Sequence, residues 1–364
     1  MVPARINLSS VQIDLTVAIE TCTIHHSLTL YPPTMILLRP ISATLCATAL
    51  FVLLFGQNAR AQSIDNYPSK PLRIVVTVPP GGAADFVART VGQRLGEALG
   101  QTVIVENRAG ASGTIAADAV AKANPDGYTI LQNSITTHGI GPHILPKLPY
   151  DSFGDLAPVV LLSRLPLIMV INASVPAANV RDFIALSRAR PGQLTFASSG
   201  NGGAPHMAAE LFKGVTGAAL THVPYRGSGP AVADLISGQV NVMFDGAPAL
   251  LQHVRSGKLR PLAAASSARN RLLPDTPTFS ELGFNGVEVS LWYGLMVPAA
   301  TPRAIINRLN AETNKILATA DIRDRFAAQG AEPGAGSPED FARYMSEEFS
   351  RWGRVIKQSG IKAD

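Results

Sequence analysis

Most of the chain alternates between short apolar runs rich in β-branched residues and longer stretches whose apolar positions lie three or four residues apart. The clearest example is the apolar run Leu72–Val78, which stops at Pro79-Pro80-Gly81-Gly82. An amphipathic helix is predicted from Asp85 to Leu99, with its apolar side chains on one face. This stretch is therefore predicted to form a strand, a glycine turn and a helix.

The same alternation continues toward the C-terminus and predicts a parallel α/β sheet. The other predicted strands are Thr102–Asn107, Tyr128–Asn133, Leu194–Ser198, Ala219–Pro224, Val240–Phe244, Leu262–Ala265 and Val287–Val297. The other predicted helices are Ser112–Ala123, Val180–Arg188, Pro205–Gly214, Pro230–Ser237, Ala247–Ser256, Pro302–Thr319, Asp321–Gln329 and Pro338–Ser359. The last of these carries an aromatic stripe, which is interpreted as a packing face.

Two stretches break this regularity. Gly141–Pro158 contains several prolines and is predicted to be a long irregular connection. The apolar run Val159–Ile171 is interrupted at Pro166 and is predicted to form two strands, of which the second, beginning at Leu167, crosses into a new domain. With 364 residues, the chain is long enough for two domains. We predict a first lobe of residues 62–168 and 291–364 and a second lobe of residues 169–290.

The first 61 residues are predicted to lie outside the folded protein. Met35-Ile-Leu-Leu-Arg39, the apolar run Ile41–Phe55 and Ala59-Arg60-Ala61 follow the order of a secretory signal, with a basic start, an apolar core and a cleavage site. We therefore predict a signal peptide at residues 35–61, cleaved near Ala61, and export of the mature chain. Residues 1–34 show no periodicity and are interpreted as an upstream mis-start before Met35.

Composition narrows the classes of function. The 31 Lys and Arg residues against 26 Asp and Glu residues give a net charge of +5, but no basic run stands out and aromatic residues make up 6% of the chain. A nucleic-acid groove is therefore not indicated. Both cysteines, Cys22 and Cys46, lie in the segment predicted to be removed. This excludes a disulfide scaffold, a thiolate metal site and a cysteine nucleophile in the mature chain.

The turn Pro79–Gly82 has two interpretations. Glycine lets a guest approach the backbone closely, and N–H groups at the start of a helix can hold a carboxylate or a phosphate without a basic side chain. Alternatively, the turn is a simple helix start that Asp85 caps. The turn lacks the spacing of a dinucleotide-binding or P-loop motif, so a nucleotide is not indicated.

A second glycine-rich turn, Ala197-Ser-Ser-Gly-Asn-Gly-Gly-Ala-Pro-His206, adds side-chain donors and can hold a second anionic group. Its alternative interpretation is a flexible loop with Pro205 at the first helical position. His206 could act as a base or a ligand, but its pairing with Glu210 alone is a weak metal signal without a third ligand. No metal and no cofactor are predicted.

Asp245 directly follows a predicted apolar strand, at the end where parallel sheets bind their ligands. It could accept a hydrogen bond from a ligand, orient a water molecule or cap the next helix. By the same topology, Pro80–Gly82 and Ser134–His138 should face one crevice. The chain contains no G-x-S-x-G sequence, so hydrolase chemistry lacks its usual motif.

Seven motifs follow one another along the chain: PPGGAAD (Pro79–Asp85), VENRAGASG (Val105–Gly113), ANPDGYT (Ala123–Thr129), LPYD (Leu148–Asp151), FASSGNGGAPH (Phe196–His206), HVPYRGSGPAVADLISGQVNVMFD (His222–Asp245) and LPDTPTFSELG (Leu273–Gly283). As an ordered set, these motifs resemble those of the substrate-binding receptors of tripartite tricarboxylate transporters, also called Bug proteins. The resemblance covers nearly all of the chain from Tyr67 onward. The resemblance implies an α/β type II periplasmic binding protein fold with a ligand cleft between two lobes.

The resemblance also implies a function. A small organic carboxylate would be held between the lobes by backbone amides and ordered waters, and a monomeric periplasmic receptor would deliver it to membrane permease subunits. The residues that would line the first lobe are Pro80, Gly81, Gly82, Asp85 and Thr136, and those of the second lobe are Ser199, Gly200, Asn201, His206 and Asp245. Two rival hypotheses stay open: an exported α/β enzyme that uses His206 and Asp245 as an acid–base pair, and a ligand-binding module of a signalling system.

Overall fold

The strands of the protein form one continuous, mixed sheet. The computed structural model describes residues 66–145 and 147–359, which lie within a single compact unit. In chain order the strands are β1 (Leu72–Val76), β2 (Val103–Asn107), β3 (Thr129–Ser134), β4 (Leu156–Asn172), β5 (Thr195–Ser198), β6 (Thr221–Pro224), β7 (Val242–Gly246), β8 (Leu259–Ala264), β9 (Ser290–Pro298) and β10 (Glu332–Pro333). The predicted signal peptide and mis-start fall outside the described residues.

Helices follow most of the strands. They are α1 (Ala83–Leu99), α2 (Thr114–Ala121), α3 (Gly141–Ile144), α4 (Val180–Ala189), α5 (Ala204–Thr216), α6 (Ser228–Ser237), α7 (Ala247–Arg255), α8 (Arg303–Leu317), α9 (Ala320–Ala327) and α10 (Pro338–Ser359). A 3₁₀ turn (Ala111–Gly113) precedes α2, and a π-helical turn (Ile135–Ile140) joins β3 to α3. Within the described residues, no helix is both long enough and apolar enough to cross a bilayer.

The long strand β4 belongs to two groups of strands. In the first half of the sheet the order is β2, β1, β3, β9, β4, with β10 on the other edge of β4; in the second half it is β6, β5, β7, β4, with β8 on the other edge. The pairs β1–β2, β1–β3, β5–β6 and β5–β7 are parallel, as the alternation of strands and helices predicts. β4 and β9 run antiparallel to each other; β4 crosses from the first half into the second, whereas β9, among the described strands, pairs only with β3 and β4.

The prediction that β4 would be two separate strands is wrong. β4 is unbroken over 17 residues, and it pairs with β9 up to Pro166 and with β7 from Leu167 onward. Proline lacks the N–H group that a ladder hydrogen bond needs, and the ladder changes partner at this residue. Two irregularities in the pairing with β9 leave Val159 and Leu162 without a partner residue on that strand. The sequence therefore marked the change of partner correctly but not the continuity of the strand.

Three smaller predictions also need correction. Ser134–His138 is not an open loop, because Ser134 ends β3 and the next four residues lie in the π-helical turn. The predicted irregular connection begins with α3 and ends when β4 starts at Leu156. β10 is too short to leave a pattern in the sequence. The aromatic stripe of α10 does form a packing face, because Phe341, Met345 and Trp352 are buried in the core.

Helices cover both faces of the sheet and thereby fix the loops at the ends of the strands. α1, α8 and α9 bury their apolar side chains against one face of the first half, and α6 and α7 do the same in the second half. On α1 the predicted face is confirmed, since Val87, Val91 and Leu95 are buried. α4, α5 and α10 contribute to a further cluster that contains residues of both halves. The carboxyl ends of β1, β3, β5 and β7 therefore carry loops on a rigid support.

Candidate functional site

The turn between β1 and α1 presents bare backbone. Residues 79–82 are exposed, and a Cβ atom added at Gly81 or Gly82 would have no neighbour within 4 Å. Gly81 has a φ of +93°, which favours glycine. In the described residues, no group accepts a hydrogen bond from the backbone N–H of Gly82, Ala83 or Ala84. These donors lie at the positive end of a 17-residue helix, where an anion is stabilised.

Asp85 organises this turn from within the helix. The helix begins at Ala83, and its N-cap is Gly82, so the alternative in which Asp85 caps the helix is wrong. One Asp85 carboxylate oxygen accepts a hydrogen bond from the Gly81 N–H at 3.1 Å, and Arg89 and Asn107 donate to the same carboxylate. The Gly81 N–H is therefore occupied, and the donors left for a ligand lie on the following residues.

The negative charge of Asp85 is paired with a positive charge of the same half. Burial alone would raise the pKa of this carboxyl, but hydrogen bonds from Arg89, Gly81 and Asn107 lower it below its usual value. Asp85 is thus ionised at neutral pH, and its negative charge is compensated by the Arg89 guanidinium 2.9 Å away. The carboxylate consequently shapes the turn and does not repel an anion as strongly as an unpaired charge would.

Thr136 lies beside this turn, because β1 and β3 are adjacent parallel strands whose carboxyl ends meet at one edge. The Gln132 side chain on β3 donates to the carbonyl of Ala84 at 2.9 Å and joins β3 to the first turn of α1. Thr136 is half-buried in the π-helical turn, an irregular geometry that is frequent at functional sites. The two loops predicted to face one crevice therefore lie next to each other.

Several polar groups of the second glycine-rich loop already form hydrogen bonds with one another. The Gly200 N–H donates to the Ser198 hydroxyl, the Gly202 N–H to His206 Nδ1 at 3.0 Å, and the Gly203 N–H to the Gly200 carbonyl. Ser199 is half-buried, and neither its N–H nor its hydroxyl has a partner among the described residues. Ser199 is therefore the residue whose donors remain for a ligand in this loop.

His206 holds the loop in place. Its ring is buried, stacks on the ring of His222 with centroids 3.8 Å apart, and accepts the Gly202 N–H through Nδ1. The other ring nitrogen lies 4.0 Å from a Glu210 oxygen. Within the described residues, no group of three or more His, Cys, Asp or Glu side chains could hold a metal ion. These contacts give His206 a structural part in shaping the loop.

Asp245 presents an unpaired oxygen at the end of β7. Its carboxyl is 6% exposed; Oδ1 accepts the Gly246 N–H at 2.7 Å, and Oδ2 has no partner among the described residues. Burial raises its pKa, and the nearby Ser228 side chain and then the Gly246 N–H oppose the rise. The N-cap of α7 is Gly246, so the alternative in which Asp245 caps that helix is wrong. A buried, unpaired oxygen requires a partner from a ligand or a water molecule.

The loops of the two halves touch. A Cβ atom added at Gly202 would lie 2.3 Å from Cδ1 of Ile144 and 3.8 Å from Cγ2 of Ile140. The second glycine-rich loop therefore packs directly on α3 and the π-helical turn of the first half. This contact brings the Ser199 loop to the same side as the loop that carries Thr136.

Sequence reasoning missed several residues that shape the site. Asn107 and Arg89 fix Asp85, and His222 fixes both Ser198 and His206. Asn107 could have been found, since it ends β2, which pairs with β1, and so belongs to the same sheet edge as the first turn. His222 begins one of the motifs that carry the family resemblance, but nothing in that motif indicates that its ring packs on His206.

The chain is similar in sequence and structure to known proteins. A family profile described as "Tripartite tricarboxylate transporter family receptor" matches residues 87–361. Protein BugT of Bordetella pertussis is 40% identical over 301 residues, which cover 82% of this chain and 92% of BugT. The solved structure of the periplasmic binding protein BugD has a TM-score of 0.72 and 30% identity, covering 82% of this chain and all of BugD.

Two further similar structures contain carboxylate ligands. The R. palustris protein Rpa4515 with adipate has a TM-score of 0.76 and 35% identity, covering 82% of this chain and all of Rpa4515. MatC from Rhodopseudomonas palustris with bound malate has a TM-score of 0.71 and 33% identity, covering 80% of this chain and all of MatC. The predicted α/β periplasmic binding protein fold and the resemblance to the Bug proteins are thereby confirmed.

Proposed function

Because the chain belongs to the tripartite tricarboxylate transporter receptor family, we propose that it is a periplasmic receptor that binds a small dicarboxylate between its lobes and delivers it to membrane permease subunits. Residues 62–168 and 291–364 form the first lobe in this proposal, and residues 169–290 form the second. The signal peptide is removed near Ala61, and the mature receptor acts as a monomer.

One observation supports this proposal above the others: unpaired hydrogen-bonding groups remain in loops that follow strands in both halves. The first half offers the N–H groups of Gly82, Ala83 and Ala84, and the second half offers Ser199 and Asp245. Hydrogen bonds from backbone N–H groups to a carboxylate are charge-assisted and stronger than neutral ones. A molecule with a carboxylate at each end would be held from both sides.

Each predicted ligand residue has a place in this scheme. Pro80, Gly81 and Gly82 form the open wall, Asp85 keeps the wall in shape, and Thr136 borders it. Gly200, Asn201 and His206 shape the loop that presents Ser199. Asp245 Oδ2 accepts a hydrogen bond from a hydroxyl group of the ligand or from a water molecule bound with it. In the malate-bound relative, MatC, the ligand carries such a hydroxyl group.

A thermal-shift experiment tests the proposal. We expect a panel that includes malate, succinate and adipate to raise the melting temperature with increasing concentration for at least one dicarboxylate, because a ligand that binds the folded state stabilises it. The matched neutral diamides should give no shift. If no dicarboxylate stabilises the protein, or if a diamide does so equally well, the proposal is wrong.

Replacing His206 separates a receptor from an enzyme. His206→Ala leaves the Gly202 N–H without its acceptor, so we expect dicarboxylate affinity to fall by roughly tenfold, the effect of losing about 1 to 2 kcal/mol of loop stabilisation. His206→Asn, whose side-chain oxygen can replace Nδ1 as acceptor, should recover most of this loss. Wild type and variants should all leave the dicarboxylate unchanged in an NMR time course. Turnover by wild type that His206→Ala abolishes would instead support the enzyme hypothesis.

A further inference from the structure

A cavity lies between the two halves, apart from the predicted carboxylate site. Its volume is about 630 Å³, which is within the range of small-molecule sites. None of the ten predicted ligand residues lines it. Its walls come from the loop after β8 in the second half and from the ends of α8, α9 and β10 in the first half. Pro166, where β4 changes its partner strand, also borders it.

The lining of this cavity is strongly basic. It contains Arg269, Arg271 and Arg323, and Glu332 is the acidic residue among the described lining residues. Arg269 is occupied, because it donates to both carboxylate oxygens of Glu281 and to a carbonyl oxygen. Arg271 and Arg323 have no ion pair and no side-chain hydrogen bond within the described part of the chain. Two guanidinium groups therefore remain available, one from each half.

A buried amide adds an independent donor. Asn270 is 5% exposed, and its Oδ1 accepts the Leu272 N–H at 2.9 Å, which orients the side chain. Its Nδ2 makes no hydrogen bond to any described residue and lies 3.3 Å from the position that a Cβ atom of Gly330 would take. A bound molecule rich in acceptors would give this amide a hydrogen-bond partner.

We propose that this cavity binds an anion of the phosphate class, held by the guanidinium groups of Arg271 and Arg323 and by Nδ2 of Asn270. A guanidinium group can donate two parallel hydrogen bonds to two oxygens of one phosphate group. A buried amide donor in addition favours a ligand rich in acceptors. Glu332 would repel an additional negative charge and so limits the ligand to a compact anionic group.

At this position a bound anion links the two halves of the protein. Asn270 and Arg271 belong to the second half and Arg323 to the first, so one bound anion joins the two halves next to β4. Gly330 of the first half already packs here against Ala247, Leu272 and Asn270 of the second. An anion at this site therefore stabilises the arrangement of the halves in which these residues converge.

Isothermal titration calorimetry with inorganic phosphate and with glycerol 3-phosphate tests the site. We expect both probes to bind wild type, and Arg271→Gln and Arg323→Gln each to weaken binding by about tenfold or more. Stronger binding of glycerol 3-phosphate would identify an organic phosphate as the physiological class, and equal binding would identify the free ion. The matched control is Arg354→Gln, since Arg354 is exposed and lies outside the lining.

Two results would overturn the proposal: no binding of either probe to wild type, or an equal loss of binding in Arg354→Gln and Arg271→Gln, which would indicate nonspecific attraction of anions to a basic surface. The test is independent of the carboxylate site. Ala83→Pro, which alters the first glycine turn, should leave phosphate binding unchanged, and the two arginine variants should still bind the dicarboxylate.

Discussion

Replacing Ala83 with proline should weaken dicarboxylate binding by roughly tenfold to a hundredfold without lowering stability. Proline removes the N–H of the first residue of α1, one of the donors that we propose for the carboxylate, and each charge-assisted hydrogen bond contributes about 1.5 to 3 kcal/mol. The backbone accepts proline at this position. The first helical residue does not need its N–H within the helix, and the preceding Gly82 has the extended conformation (φ −93°, ψ −179°) that proline requires of its neighbour.

The chain offers a matched control for this substitution. Ala320 is the first residue of α9, its N-cap Thr319 is also extended (φ −69°, ψ 149°), and it is not among the predicted ligand residues. Ala320→Pro should therefore keep wild-type affinity. Titration calorimetry with the dicarboxylate that gives the largest thermal shift measures both variants, and urea unfolding confirms that both are folded. Equal affinity of Ala83→Pro and Ala320→Pro would refute the use of α1's first turn as a carboxylate site.

Acidification should destabilise the protein through His138. This side chain lies in the π-helical turn, is 0% exposed, and neither ring nitrogen has a hydrogen-bond partner among the described residues. Burial lowers its pKa from 6.5 to about 4, and the backbone of Ser152 opposes the shift only in part. The unfolded state thus takes up a proton between pH 6.5 and 4 while the folded state does not, so stability is full above pH 6.5 and is lost as the pH falls through this window.

We expect the free energy of unfolding to be lower by about 2 kcal/mol at pH 5 and by about 3 kcal/mol at pH 4. This follows from about 1.36 kcal/mol for each unit by which the His138 pKa differs between the unfolded and folded states. Urea unfolding at pH 7 and pH 5 measures this decrease. His138→Leu, similar in volume and without a titrating group, serves as the reference because it retains every other carboxyl and histidine. The free energy of unfolding of the leucine variant should change by about 2 kcal/mol less than that of wild type. If both proteins lose the same amount, His138 is not the cause.

The parts of the fold that follow from local patterns could be predicted from the sequence. β1 and α1 were found within a few residues because β-branched residues, a glycine turn and a period of 3.6 residues follow one another directly. β4 could not be predicted as one strand, because Pro166 reads as a break unless the two partner strands are known. β9, which pairs with β4 there, lies more than 100 residues away in the sequence.

Only part of the candidate site could likewise be predicted from the sequence. That Gly81, Gly82 and Ser199 lie in turns at strand ends follows from sequence and topology. Which N–H groups remain available does not, because Asp85 takes the Gly81 N–H only with the help of Arg89 and Asn107. The cavity lined by Asn270 and Arg323 could not be predicted at all, since these two residues come from different halves and are far apart in the sequence.

The continuity of β4 limits how this protein can be divided by engineering. A stretch of 17 residues supplies a strand to both halves of the sheet, and the ladder passes from β9 to β7 without a linker. A gene fragment that begins at the proposed lobe boundary, residue 169, would cut β4 inside the segment that pairs with β7 and β8 and leave parts of both strands as unpaired edges prone to aggregation. Chimaeric receptors that exchange ligand preference should therefore be built by grafting loops, with β4 left whole.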